Sequence, residues 1–237
     1  MHAHLLLTLI SLVAFQLQPA TTPTHSAVTP DSRPDEWWQA RHNGMNDRVK
    51  QGDVDLVFIG DSITQGWEDP GKSVWEQYYG GRRAVNLGIS GDRTQHALWR
   101  LDHGNIDGIK PKAAVIMIGT NNSNGEDNTA AEIADGVAAI VARLRDRSPT
   151  TRVLLLGIFP RGESPNPQRG KVLQANQIFQ RMDDGEHVFY LDIGYRFLEP
   201  DGAIPQSIMP DFLHLTEEGY GIWASAIEPK LKEVLGR

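Results

Sequence analysis

Ser62 closes the stretch Asp55-Leu56-Val57-Phe58-Ile59-Gly60-Asp61-Ser62. Four consecutive apolar residues running into Gly-Asp-Ser predict a buried strand of a parallel sheet, whose last turn delivers a hydroxyl to the sheet's carboxyl edge. Ligands of open α/β sheets bind at that edge. A serine there is a candidate nucleophile, although a serine in a strand-to-helix turn also serves as an ordinary helix cap. Ester chemistry would need three more things: a base for the hydroxyl proton, an orienter for the base, and donors aimed at a developing oxyanion.

The chain contains candidates for all three. His214 is the candidate base and Asp211, three residues earlier, the candidate orienter. In a single turn, positions i and i+3 lie on one side, so the carboxylate can reach Nδ1 and leave Nε2 facing the serine. Taken alone, the pair also fits a helix N-cap followed by an exposed histidine, because a helix is expected to start at Leu215–Tyr220. Gly91 can offer a backbone N–H on a turn where a side chain would block close approach, and Asn121 a side-chain amide; the N–H of Ser62 would be the third donor. Singly, Gly91 reads as a turn glycine and Asn121 as a polar cap after a buried strand. The nucleophile-elbow pattern G-x-S-x-G fails, because Thr64 stands where its second glycine should be.

The Gly60-Asp61-Ser62 step resembles block I of the GDSL/SGNH esterase family. Asn86-Leu87-Gly88-Ile89-Ser90-Gly91-Asp92, Gly119-Thr120-Asn121-Asn122 and Asp211-Phe212-Leu213-His214 match later blocks of that family in order. Within it, the chain resembles the brain-type platelet-activating factor acetylhydrolase catalytic subunits and their secreted bacterial relatives, from about Trp37 to the C-terminus. The resemblance implies catalytic roles for Ser62, Asp211 and His214, and an oxyanion hole from Ser62, Gly91 and Asn121. It also implies a flavodoxin-like strand order 2-1-3-4-5 and, because the resembled subunits pair, a homodimer. Family members also assemble with partners, so a non-catalytic scaffold of the same fold is the alternative, as is a thioesterase or lysophospholipase using the same site.

Five apolar segments alternate with helical stretches, which predicts a three-layer α/β/α sandwich with a doubly wound parallel sheet. The strands are expected at Leu56–Ile59, Ala84–Leu87, Ala113–Ile118, Val153–Ile158 and Val188–Leu191. Helices are expected at Ser73–Tyr79, Thr94–His103, Ala130–Arg147, Val172–Met182 and Glu217–Leu235. A further helix over Asp35–Lys50, after Pro34, uses Trp37, Trp38, Met45 and Val49 as apolar positions and reads as a lid packed on the sheet.

The 237 residues suit one α/β domain. Lys+Arg 23 against Asp+Glu 30 gives net −7 without a basic run, which argues against nucleic acid as a partner. Cysteine is absent, so thiol nucleophiles and thiolate metal sites are excluded. His96, His103 and His187 lack ligand spacing, and neither a metal nor a cofactor is expected. Gly66-Trp67-Glu68-Asp69-Pro70-Gly71-Lys72-Ser73 satisfies the P-loop expression G-x-x-x-x-G-K-[ST]. Its context argues against nucleotide binding: Gly66 comes six residues after Gly60 instead of at the strand end, and Glu68 and Asp69 would place carboxylates where phosphate must sit. Asn121-Asn122-Ser123 matches a glycosylation sequon, against which a buried catalytic amide is the preferred reading.

Leu5 to Leu17 form an apolar run broken only by Thr8, Ser11 and Gln16, with no charge before Asp31. The run is short of a bilayer span and reads as a signal peptide over residues 1–27, with Ala20 or Ala27 before the cleavage point; no Lys or Arg precedes it, so an uncleaved anchor or a misassigned start is the alternative. A secreted or periplasmic protein is the expectation, with residues 28–237 as the single domain. Trp67 and Phe159, with the loops Phe159–Arg169 and Ile208–Leu213, are expected either to wall a small acyl pocket or merely to pack the loops together. Nothing long and apolar lies near the site in sequence, so short acyl groups are expected, acetyl first.

Overall fold

The computed structural model describes residues 24–236; most of the expected leader, Ala20 included, lies outside them. Five parallel strands, β1 (Leu56–Gly60), β2 (Ala84–Gly88), β3 (Ala113–Met117), β4 (Arg152–Leu156) and β5 (Val188–Leu191), form one sheet in the order β2-β1-β3-β4-β5. Every residue of β1 and β3 is buried, as central strands covered on both faces require. Register is in phase at the functional end: Gly60 lies opposite Gly88 of β2 and Met117 of β3.

The pleat sorts alternate strand residues into two cores. Val57, Ile59, Ile116 and Leu155 pack under α1 (Glu36–Lys50), α4 (Thr94–Asp102), α5 (Ala130–Arg147) and α6 (Pro167–Phe179). Leu56, Phe58, Val115 and Leu154 pack under α3 (Lys72–Tyr79) and α7 (Glu217–Leu235), with Trp67 and Trp223 among them. A one-turn helix, α2 (Ser62–Gln65), follows β1 directly. The three-layer α/β/α sandwich and the flavodoxin-like strand order are therefore as expected.

Helices α5 and α7 span the expected residues. Thr129 and Glu132 form a reciprocal capping box on α5, and the Thr216 hydroxyl caps α7. Helix α6 starts five residues before its expected position, because Asn166 caps the Arg169 N–H and Pro167 takes the first helical position. Of the two adjacent tryptophans in α1, Trp38 is wholly buried whereas Trp37 is 49% exposed, with the Arg33 guanidinium over its ring. One side of a helix faces the core, so neighbours in sequence part company. Ala27 belongs to the fold: it is fully buried in a 3-10 turn, Ser26–Val28, and its carbonyl accepts from the Thr94 hydroxyl at 2.8 Å.

The P-loop-like stretch builds no phosphate cradle. Gly66–Glu68 form a 3-10 turn, Trp67 points into the core, and the Ser73 hydroxyl donates to Glu217. Glu68 is engaged by Arg41 through two hydrogen bonds of 2.9 and 2.8 Å.

Candidate active site

Strand β1 ends at Gly60, where a Cβ would lie 2.0 Å from the Thr64 hydroxyl and 2.5 Å from the Met117 carbonyl; only glycine permits so tight an entry into α2. Asp61 then caps α2, its Oδ1 accepting the Ile63 N–H at 3.0 Å. The capping role therefore falls to Asp61, which leaves Ser62, the first residue of α2, with its hydroxyl available at the carboxyl edge of the sheet.

His214 reaches that hydroxyl from the opposite loop. Its Nε2 lies 2.9 Å from Ser62 Oγ, and its Nδ1 lies 2.6 Å from Asp211 Oδ2. The other carboxylate oxygen of Asp211 accepts the backbone N–H of His214 at 2.7 Å and of Leu213 at 3.1 Å. Phe212 between them takes φ +59, a left-handed turn that brings the two side chains to one side. Since Thr216 caps α7, Asp211 and His214 are free of any helix-capping duty. Burial pushes the Asp211 carboxyl up, but the hydrogen bonds from the His214 ring and backbone outweigh it, and the group lies below its ordinary value.

Gly91 and Asn121 come from the loops after β2 and β3, the two strands that flank β1. Gly91 has φ +78, and a Cβ there would meet Arg33 Nη1 at 2.9 Å. Arg33 Nη1 donates to the Ser90 carbonyl at 2.7 Å, and Gln65 Oε1 accepts the Ser90 N–H at 2.7 Å, so the loop is held from both sides. Asn121 Nδ2 donates one proton to the Asp92 carbonyl at 2.9 Å; an amide nitrogen carries two, and the second is available for another acceptor. Arg161 Nη1 ties down the turn that holds Asn121 at both ends, through the Thr120 carbonyl at 3.0 Å and Asn124 Oδ1 at 3.0 Å. Arg33, Gln65 and Arg161 carried no motif, and nothing in their local sequence marks them.

Trp67 and Phe159 do not wall the site, and that expectation is corrected. Each is 1% exposed. Trp67 packs against Tyr220 and Trp223 at centroid distances of 4.5 and 5.0 Å, and Phe159 against Phe197 at 4.7 Å. Large aromatic rings gain more by filling the core beneath α7 than by facing water. The cleft beside Ser62 and His214, about 500 Å³, is lined instead by Gln65, Glu68, Asp69, Ser90, Leu215 and Tyr220, among others. A larger groove of about 550 Å³ between α1 and α3 reaches Trp67 and Glu68 but includes neither Ser62 nor His214.

Immediately before Ser62 sits an unusual acid. Asp61 is fully buried, and its Oδ2 has no hydrogen-bond partner among the described residues. Burial pushes its carboxyl up to about 7; the charge of Asp92 adds to the rise, and the Ile63 N–H and Arg161 oppose it.

A doubly wound sheet that carries a hydroxyl, an imidazole and a carboxylate in one hydrogen-bonded chain at its carboxyl edge places the protein among the α/β hydrolytic enzymes. Residues 58–222 match the GDSL-like lipase/acylhydrolase family, and the chain belongs to it. Over 203 residues it is 40% identical to platelet-activating factor acetylhydrolase IB subunit alpha2 of Rattus norvegicus, covering 85% of each chain. It is 36% identical over 220 residues to the alpha1 subunit of Homo sapiens, covering 92% of each. Among solved structures, a GDSL-like lipase from Bacteroides thetaiotaomicron shares the fold with a TM-score of 0.65 at 20% identity, over 82% of this chain and 97% of that one. These relatives overturn one expectation. The matched acetylhydrolase IB subunits are intracellular, which is inconsistent with the secreted or periplasmic location read from the leader.

Proposed function

We propose that this acylhydrolase is a serine esterase that cleaves short-chain, acetyl-type carboxylic esters through an acyl-enzyme. The observation that carries the reading is the unbroken chain Ser62 Oγ, His214 Nε2, His214 Nδ1, Asp211 Oδ2, with links of 2.9 and 2.6 Å. His214 takes the Ser62 proton as Oγ forms a bond to the ester carbonyl carbon, and Asp211 orients the ring and balances the imidazolium charge. The carbonyl π electrons move onto oxygen, and the N–H groups of Ser62 and Gly91 and the Asn121 amide stabilise the resulting oxyanion. Collapse expels the alkoxide, which leaves with the proton from His214. Water, deprotonated by the same ring, then attacks the acyl-enzyme and releases the acid and free Ser62.

Two observations support short acyl groups. The 40%-identical relatives are named acetylhydrolases. The cleft beside Ser62 interleaves Gln65, Glu68, Asp69 and Ser90 with Pro70, Leu215 and Tyr220; a long acyl chain needs a continuous apolar wall.

The test is hydrolysis of p-nitrophenyl esters from acetyl to octanoyl by the purified protein beside Ser62→Ala, with and without a chelator. Chelator-insensitive turnover, highest on acetyl and lost in the variant, is expected. Turnover retained in Ser62→Ala would remove Ser62 as nucleophile, and octanoyl faster than acetyl would overturn the acyl preference.

A further inference from the structure

The proposed oxyanion donors sit on three separate segments, and a single buried cation touches the supports of all three. Arg100, on α4, is 1% exposed. Its Nη2 donates to the Gly60 carbonyl at 3.2 Å, two residues before Ser62. Its Nη1 donates to the Leu87 carbonyl at 2.8 Å, at the end of β2 leading to Gly91, and to Asn105 Oδ1 at 2.6 Å. Its Nε donates to Asp92 Oδ2 at 2.8 Å.

Asp92 carries the connection onward. It is fully buried and directly follows Gly91; its Oδ1 accepts the Trp38 indole N–H at 2.7 Å, and its carbonyl accepts from Asn121 Nδ2 at 2.9 Å. With both carboxylate oxygens held, the backbone of residue 92 has little freedom to turn. The bond to its carbonyl uses one Asn121 proton and thereby aims the other. Burying an ion pair costs desolvation that its own attraction roughly offsets, so stability alone is a weak reason for one here.

We infer that Arg100 and Asp92 are positioning residues for the reaction: the buried pair sets the angle between the Ser62 turn, the Gly91 loop and the Asn121 amide, and so aligns the oxyanion donors. The inference rests on the oxyanion reading above. Misalignment of preorganised donors by a fraction of an ångström weakens the transition state more than the bound ester. Loss of the pair therefore appears in kcat.

The experiment is a double-mutant cycle on p-nitrophenyl acetate with Arg100→Lys, Asn121→Ala and the double variant, each checked for folding by circular dichroism and thermal denaturation. Lysine keeps the charge, but one ammonium cannot replace the fork that spans four acceptors. Arg100→Lys is expected to lower kcat roughly 10–100-fold with KM within about threefold, since it blunts donors worth roughly 10²–10³ each. The combined loss is expected to fall short of the product of the single losses by about fivefold or more, because the two residues act on the same donor. A folded Arg100→Lys with unchanged kcat, a loss confined to KM, or multiplicative losses would overturn the inference. If Arg100→Lys does not fold, Trp38→Phe, which withdraws one donor from Asp92 and leaves the ion pair, carries the same cycle with an expected kcat loss of roughly 3–10-fold. An Asn121→Ala enzyme with full kcat would refute the oxyanion reading and the inference with it; an impaired Asn121→Ala with multiplicative losses would refute the inference alone.

Discussion

Asp211 holds His214 at two points: Oδ1 accepts its backbone N–H at 2.7 Å, and Oδ2 accepts from its Nδ1 at 2.6 Å. The two bonds have different consequences for a substitution. In Asp211→Asn the amide oxygen can keep the backbone bond, but the NH₂ then faces Nδ1 and favours the tautomer with its proton on Nε2. A ring in that state cannot accept the Ser62 proton. The expected outcome is a kcat lowered roughly 10³-fold or more with little change in KM, read from steady-state kinetics on p-nitrophenyl acetate. Full activity would show that Asp211 has no part in orienting the base.

Asn121→Ala removes a single donor and leaves the Ser62–His214–Asp211 chain untouched. Its kcat on the same ester is expected to fall roughly 10²–10³-fold at nearly constant KM. A change in KM alone would assign Asn121 to substrate binding instead.

Asp61 and two histidines set opposing pH dependences of stability. An acid at about 7 in the fold and 3.8 in the unfolded chain is fully stabilising below 3.8, and that contribution is lost as pH rises to 7. His42 and His96 have the reverse sign: burial lowers each from 6.5 to about 4, so the stability they permit is present above 6.5 and lost as pH falls to 4. Asp61→Asn keeps the Ile63 cap and deletes only the acid's titration. Thermal denaturation should find it more stable than the parent at pH 8 by roughly 1–3 kcal/mol, with the gap closing by pH 4. A gap that does not vary with pH would show that Asp61 titrates normally.

Trp67 belongs to the core, so Trp67→Phe is expected to reduce stability by roughly 1–3 kcal/mol and to leave the ratio of acetyl to butyryl turnover unchanged. The indole N–H of Trp67 has no partner among the described residues, so the loss is one of packing. An altered ratio, measured on the two p-nitrophenyl esters, would return Trp67 to the acyl pocket.

Much of this protein is determined locally and was legible as such. The apolar runs and helical periods place every strand, and every helix but the one-turn α2, within five residues, and α5 and α7 to the residue, because a buried central strand must be apolar throughout and a helix end needs its cap. Ser62, Gly91, Asn121, Asp211 and His214 stand in short patterns that could be recognised in the chain itself. The strand order came from resemblance, since periodicity is the same whichever neighbour a strand chooses.

Only the tertiary structure decided which side chains share a space. Trp37 and Trp38 are adjacent in sequence, yet one is exposed and the other donates to Asp92. Trp67, five residues after Ser62, and Phe159, three residues after the end of β4, are pulled into the core by the gain from burying aromatic surface. Arg100 lies 38 residues after Ser62 and 21 before Asn121, and no local pattern distinguishes it from a surface arginine. Its contacts with Gly60, Leu87 and Asp92 exist only after β1 and β2 have paired and α4 has packed on them, since long-range proximity is created by the sheet and not by the chain.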